Sequence, residues 1–350
     1  MQPVGYLGPV YRSAKAAMNR ARARGCAGVI LVYHSVAALD WDPFGIAVSP
    51  EQFDAHMEIL SRRFAPQSLG QLCAGLHRAE LPQRPVVVTF DDGYANNLSA
   101  AQPSLAAHQI PATLFLATGY VGEQREFWWD ELERLVRGGC GAGGDPTLEL
   151  RVSGASLRCS MRDESVATHL LWRWLHQRPA GEIEAGLQQV RRWAGVQAAP
   201  APRESHRPMT LDEVRELDRS GVEIAAHTRT HPRLGAQEET VQRDEIGGSR
   251  ADLEAWLGKR TVSFAYPYGN PATDYTRTSV ELVRELGFER AVSTSAELAR
   301  PSSSRYALPR YFVTTRAPAE FERWLAARFR SLPARASEKL VGHARQRLGR

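Results

Sequence analysis

Apolar, β-branched runs recur along the chain, each closed by polar or glycine-containing residues. They are Gly28–Tyr33, Val86–Phe90, Ala112–Thr118, Val222–Ala226, Thr261–Tyr266, Arg290–Thr294 and Ala307–Val313. Most lack strict polar alternation, the pattern of strands buried on both faces of a parallel sheet. Between them the apolar period lengthens to that of helices. Pro50–Phe64 opens after Ser49 and places Phe53, Met57 and Leu60 on one face; Ala95–His108, Val241–Leu257 and Ser279–Gly287 follow other strands. Leu211–Ser220 starts at Thr210 with Glu213 three residues on, a capping box, and stops at Gly221. Strand–helix alternation repeated in this way predicts an α/β barrel.

The third and fourth runs are separated by far more chain than one crossover needs. That stretch holds FWWDELERL (127–135), a glycine-rich segment (138–145) and a helical pattern from Met161 to Ala194, and leaves through the proline-rich 198–208. Connections of this length normally carry structure of their own. We therefore expect an inserted helical segment at about 120–209, on the rim of a barrel spanning 28–327. A basic N-terminal segment (1–27) and a basic C-terminal tail (328–350) flank it.

Composition narrows the class. Hydrophobic residues make up 43% of the 350 and charged residues 24%, which excludes disordered and fibrous chains. Cys26, Cys73, Cys140 and Cys159 form no close pair, against a disulfide framework or a thiolate metal site. Neither a membrane-spanning apolar run nor a secretory signal pattern is present, so a cytoplasmic protein is expected. Charge is unevenly placed. Residues 1–24 and 328–350 together carry twelve basic residues against Glu338 alone, so although the whole is +5 the body between them is −6. A nucleic-acid enzyme would concentrate its positive charge around the site, so nucleic acid is not an expected partner. The basic ends read either as solvated arginine-rich helices or as peripheral contacts to an anionic membrane at its inner face.

Two motifs carry chemistry. Thr89-Phe90-Asp91-Asp92-Gly93-Tyr94 ends the second run, and Gly93 permits a turn that presents both carboxylates to one cavity. Side by side, two carboxylates repel unless a cation or hydrogen bonds intervene; alone, the motif reads equally well as a solvated turn. His227-Thr228-Arg229-Thr230-His231-Pro232 follows the fourth run. Histidines four apart share one side of a helical turn and suit a divalent metal, although either alone is more often structural. Both motifs sit where a strand meets a loop, the catalytic face of such barrels. Two histidines and one carboxylate make a three-ligand site with open positions, leaving the other carboxylate to act on a water.

On these residues the chain resembles the polysaccharide deacetylase family, the carbohydrate esterases of family four. TFDDG matches the family's first motif and HTRTHP its second, over a span of roughly 30–313. The resemblance implies a distorted (β/α)7 barrel and metal-dependent removal of an acetyl group from an N-acetylated saccharide. It makes Asp91 the general base and Asp92, His227 and His231 the ligands of a divalent metal, with Zn2+ the expected ion. Phe264-Ala265-Tyr266-Pro267-Tyr268-Gly269 looks like the third motif, in which the Tyr268 N–H would donate to the oxyanion. Two departures stand out. The family arginine that orients the base falls at Ala265, leaving that role vacant or filled by another residue. The family's general-acid histidine falls at Arg310, in Leu308-Pro309-Arg310; an arginine can stabilise charge but not release a proton. The fourth motif has no clear counterpart. His34, after the first run, becomes the candidate acid. Asp130, Trp128 and Trp129 read either as substrate contacts or as core of the insert. The expected function is hydrolysis of an N-acyl amino sugar in a glycan or glycan precursor. The alternatives are the same machinery on another carbon–nitrogen bond (a small amide, a formylated sugar), or a non-catalytic carbohydrate-binding relic.

Overall fold

Each of the seven apolar runs contains or lies within a strand in the structure, a computed structural model that describes residues 26–139, 146–314 and 316–330. The strands are β1 (Val29–Tyr33), β2 (Ser35–Val36), β3 (Ala47–Val48), β4 (Ala65–Pro66), β5 (Pro85–Asp92), β6 (Ala112–Leu116), β7 (Thr147–Val152), β8 (Ala155–Ser160), β9 (Glu223–Ala226), β10 (Ser263–Ala265), β11 (Arg290–Val292) and β12 (Tyr311–Phe312). The helices are α1 (Pro50–Arg63), α2 (Leu69–Arg78), α3 (Gln102–Ala107), α4 (Trp128–Gly138), α5 (Glu164–Leu175), α6 (Ala180–Trp193), α7 (Leu211–Arg219), α8 (Glu239–Leu257), α9 (Arg277–Glu285) and α10 (Pro318–Arg330).

The main sheet is parallel throughout, in the order β11-β10-β9-β6-β5-β1-β12, with β4 beside β5. A parallel bridge from Val292 to Leu308, just ahead of β12, carries the path round from β11 to β1. The sheet therefore curls into the distorted (β/α)7 barrel expected. Alternate strand residues face opposite ways. Leu31, Val88, Leu114 and Ile224 point outward onto α1, α7, α8 and α10, through Phe53, Val214, Leu253 and Phe321. Ile30, Val87, Phe115, Ala225, Ala265 and Val292 point inward, where Leu69, Leu72 and Leu76 of α2 close the barrel floor.

Local signals hold at the helix starts. Ser49 accepts from the Gln52 N–H, and the Thr210–Glu213 capping box forms in both directions. The sequence reading passes over α2, which a second capping box (Ser68 with Gln71) begins, and over α10.

The insert lies between β6 and β9 and has its own core of Phe127, Leu132, Leu150, Leu171, Leu187 and neighbours. It is not purely helical. β7 and β8 form an antiparallel hairpin between α4 and α5, because Leu148, Leu150 and Val152 alternate inward while Ser153 and Gly154 take left-handed turn conformations. The helical pattern from Met161 is likewise two helices, parted before Pro179. Segments 1–25 and 331–350, which hold most of the basic ends, and 140–145, the core of the glycine-rich segment, lie outside the described residues. Among the described residues no helix is long and apolar enough to cross a membrane.

Candidate active site

β5 delivers the carboxylates. Thr89 and Asp91 continue the inward-facing set begun by Val87, and both aspartates are only 3% exposed. Asp92 then turns into the left-handed region (φ 74°), followed by Gly93 (φ 102°). The positive φ favours glycine here, and a Cβ would also lie 2.2 Å from Leu116 Cδ1, so that side chain would have to shift. The turn lets two consecutive residues face one cavity.

The histidines arrive by a different route from the one expected. Residues 227–231 form no helical turn; Thr228 and His231 are both left-handed (φ 64° and 57°). Glu245 of α8 holds this loop, accepting from the N–H groups of Arg229 (2.8 Å) and Thr230 (2.9 Å) and from the Thr230 hydroxyl (2.6 Å). Thr228 Oγ1 accepts from the His231 N–H at 3.1 Å. Among the described non-glycine residues eight have positive φ, and four of them (Asp92, Thr228, His231, Tyr268) belong to this site. Such concentration of unfavourable backbone is characteristic of functional centres.

Asp92, His227 and His231 are all buried and bring one ligand atom each within 4.8 Å of one another. Asp92 Oδ1 lies 3.6 Å from His227 Nε2 and 3.4 Å from His231 Nε2, yet it is buried without a hydrogen-bond partner. His227 Nδ1 donates to the Ala265 carbonyl at 2.8 Å, which leaves Nε2 unprotonated and facing the cluster. Burial holds both histidines below their ordinary pKa, so both are neutral ligands at neutral pH. Burial, and then the neighbouring Asp91 charge, push the Asp92 carboxyl well up. A buried, unpartnered carboxylate oxygen facing two neutral imidazoles is a donor set that fits a divalent cation.

Asp91 is the opposite case. Arg310, fully buried, grips it with both ends of the guanidinium: Nη1 to Oδ1 and Nη2 to Oδ2, each 2.7 Å. The arginine is fixed in turn, with Nε donating to the Ser293 carbonyl (3.0 Å) and Nη1 to Thr89 Oγ1 (3.1 Å). Burial raises the Asp91 carboxyl, but the charges of Arg310 and His227 outweigh it and hold the pKa at about 2. The place left vacant at Ala265 is thus filled from the approach to β12: Arg310, at the position where the family resemblance implies a general acid, instead fixes the orientation of Asp91. Ala265 contributes its carbonyl alone.

His34 caps β1 beside this pair. Its Nδ1 is buried without a partner, its ring lies 5.0 Å from that of Phe312, and its carbonyl accepts from Asn97 Nδ2 at 2.7 Å. Burial lowers its pKa to about 4, with Asp91 opposing and Arg310 and His227 reinforcing the shift. Tyr268, also left-handed (φ 61°), stacks edge-on to His231 at 4.7 Å. Among the described residues no acceptor takes its backbone N–H.

The insert forms the opposite wall. Trp129 packs 4.8 Å from His231, and its Nε1 donates to Tyr94 Oη (2.8 Å), which donates to Asp130 Oδ2 (2.7 Å). Asp130, Trp128 and Trp129 are 3–6% exposed and belong to the insert's core. The half-buried aromatics at the rim are others, overlooked in the sequence. Trp172 of α5 and His176, which caps that helix, are stacked at 4.3 Å and meet Tyr268 at 5.9 and 5.5 Å. Their spacing of four along one helical pattern was the available signal.

Comparisons with known proteins agree with this fold. The Bacillus subtilis protein YxkH, named for the polysaccharide deacetylases, is 23% identical over 153 residues, 42% of this chain; the chain spans about half (52%) of that relative's length. Among solved structures, IcaB from Ammonifex degensii superposes with a TM-score of 0.57 at 20% identity, over 86% of this chain and 97% of that one. Streptococcus pyogenes deacetylase PplD, solved with acetate, gives 0.55 at 18% identity, over 85% and 97%. Both show the same fold. The profile described as polysaccharide deacetylase matches residues 78–144 and 180–291, just over half of the chain. Both motifs that meet at the barrel mouth lie inside those segments, and the chain belongs to the polysaccharide deacetylase family.

Proposed function

We propose that this protein is a metal-dependent deacetylase that removes an N-acetyl group from an amino sugar of a glycan or glycan precursor. The observation that carries the reading is the division of labour between adjacent carboxylates: Asp92 is unpartnered beside two neutral histidines, and Asp91 is clamped by Arg310. Asp92, His227 and His231 would hold the cation, and a set of two imidazoles and one carboxylate suits Zn2+. When bound, the ion supplies Lewis-acid polarisation of the acyl carbonyl and acidifies a water.

The chain's own residues do the rest. Asp91 is ionised at any usable pH and keeps a free lone pair on each oxygen, so it accepts the proton of the attacking water. Arg310 fixes the direction of those lone pairs. The Tyr268 N–H donates to the oxyanion as the water oxygen bonds to the acyl carbon. The carbon–nitrogen bond then breaks and the amine takes a proton. His34 is neutral at neutral pH, so the proton it gives must first reach it from the attack, and its unpartnered Nδ1 is free to carry it. Trp172 and His176 offer a face on which a sugar ring can stack. A relic would have no reason to keep Asp92 Oδ1 buried and unpaired.

Acetate release from a panel of N-acetylated saccharides, set against small amides and formylated sugars, tests the substrate class. Turnover of the saccharides with one equivalent of bound metal is expected. Turnover of the amides alone would move the same machinery to another substrate, and a metal-free, inert protein would leave the relic. The basic ends would add peripheral contact with an anionic membrane, seen as salt-sensitive co-sedimentation with anionic but not neutral vesicles.

A further inference from the structure

The end of the barrel opposite Asp91 carries a second concentration of charge. A cavity of about 510 Å³ opens between α2 and the chain ahead of β12, within the size range of small-molecule pockets. Arg78, Arg290, Arg300 and Arg305 line it with His77 and Cys73, and no aspartate or glutamate is among its lining residues. This stands against a body whose net charge is negative.

The arginines are incompletely neutralised. Arg290 is anchored by Nε to Ser263 Oγ (2.8 Å), and its nearest carboxylate, Glu223, is 3.8 Å away. Glu223 is already engaged by the hydroxyls of Ser263 (2.6 Å) and Thr113 (3.0 Å). Arg78 reaches Glu80 only at 3.9 Å, with both side chains more than half exposed. Arg305 donates Nε to the Glu289 carbonyl, and among the described residues neither it nor Arg300 is ion-paired. Several planar donor forks around one cavity, with no acid on its wall, match an anion that bears several charges and terminal oxygens. A single carboxylate would leave most of the forks unused.

We propose that this cavity binds a small molecule through a diphosphate group, at a site separate from the catalytic mouth. The inference does not depend on the reading of the active site. The test is calorimetric titration of the full chain with inorganic pyrophosphate at physiological ionic strength. Saturable binding is expected, weakened about tenfold or more in Arg300→Ala/Arg305→Ala, since each charge-assisted hydrogen bond contributes on that scale. Arg300 is half-buried and Arg305 exposed, so the variant should lose only a few degrees of Tm at most. Absence of saturable binding to the wild-type chain would overturn the proposal. So would undiminished binding to the double variant, which would put the pyrophosphate at the metal centre. Two further arms identify the source of the group. Tighter binding of a nucleoside diphosphate marks a soluble nucleotide, and tighter binding of a prenyl diphosphate marks a lipid carrier.

Discussion

Asp91 and Asp92 are adjacent in sequence and opposite in behaviour, and the difference lies in what each oxygen faces. Exchange to asparagine should separate them. Asp91→Asn keeps shape but cannot accept a proton, so turnover should vanish while metal affinity stays. Asp92→Asn, His227→Ala and His231→Ala should lose affinity together with rate. Equilibrium metal titration of all four variants checks this, and the reverse pattern would exchange the two aspartates' roles. Arg310 holds the Asp91 pKa down, so its removal must let that pKa rise. In Arg310→Met the acidic limb of kcat/KM should therefore move to higher pH, with stability lower by about 3–5 kcal/mol for the stranded buried charge. Arg310→Lys keeps the charge without the fork and should shift the limb less. His34→Gln removes the relay and should slow turnover by about 10²–10⁴ while metal affinity stays unchanged, which steady-state kinetics beside metal titration checks.

At the level of elements, strand ends place the chemistry and loops aim it. β5 brings Asp91 to the mouth because its inward positions follow a period of two, but Asp92 and His231 depend on left-handed residues that no period encodes. The 227–231 loop is held from outside the ligand set, by Glu245 on α8. Glu245→Ala should thus weaken metal binding about 10–100-fold without touching a ligand, as expected for a partner that orients ligands. Metal titration measures this directly; unchanged affinity would mean that Asp252, which pairs with Arg229 at 2.7 Å, holds the loop alone. The strand–helix alternation was legible because burial on both faces leaves unbroken apolar runs. The hairpin β7–β8 was hidden because it lies in an insert whose other segments have strong helical periodicity.

Buried charge lies at the barrel mouth, so a cation held there, as proposed, would couple stability to metal. Asp92 has its pKa raised in the folded chain, so without metal its contribution is favourable below the unfolded carboxyl value and is lost as pH rises through the folded one. A bound cation replaces the proton at higher pH. Chelation should accordingly lower Tm more at pH 8 than at pH 5. At a hundredfold excess of metal over its Kd the linkage contributes about 2.7 kcal/mol, or roughly 4 °C for a chain of this size. Calorimetric scans with and without chelator at the two pH values measure the difference, and an equal shift at both would remove Asp92 from the ligand set.

The sequence by itself determined the parallel barrel and the residues able to bind a metal and move a proton. Doubly buried strands, paired carboxylates and paired histidines are local patterns, and each residue's chemistry is intrinsic to it. Only the tertiary structure decided how those abilities are used. Arg310 meets Asp91 from 219 residues away because the sheet closes through Val292 and Leu308, a consequence of register that no local window contains. The same closure brings a guanidinium to Asp91 although position 265 is an alanine. Likewise α2 becomes a floor, and Trp172 and His176 a rim, through packing between segments distant in sequence. Desolvation then separated the two aspartates, since burial and neighbouring charge, not residue type, set their ionisation.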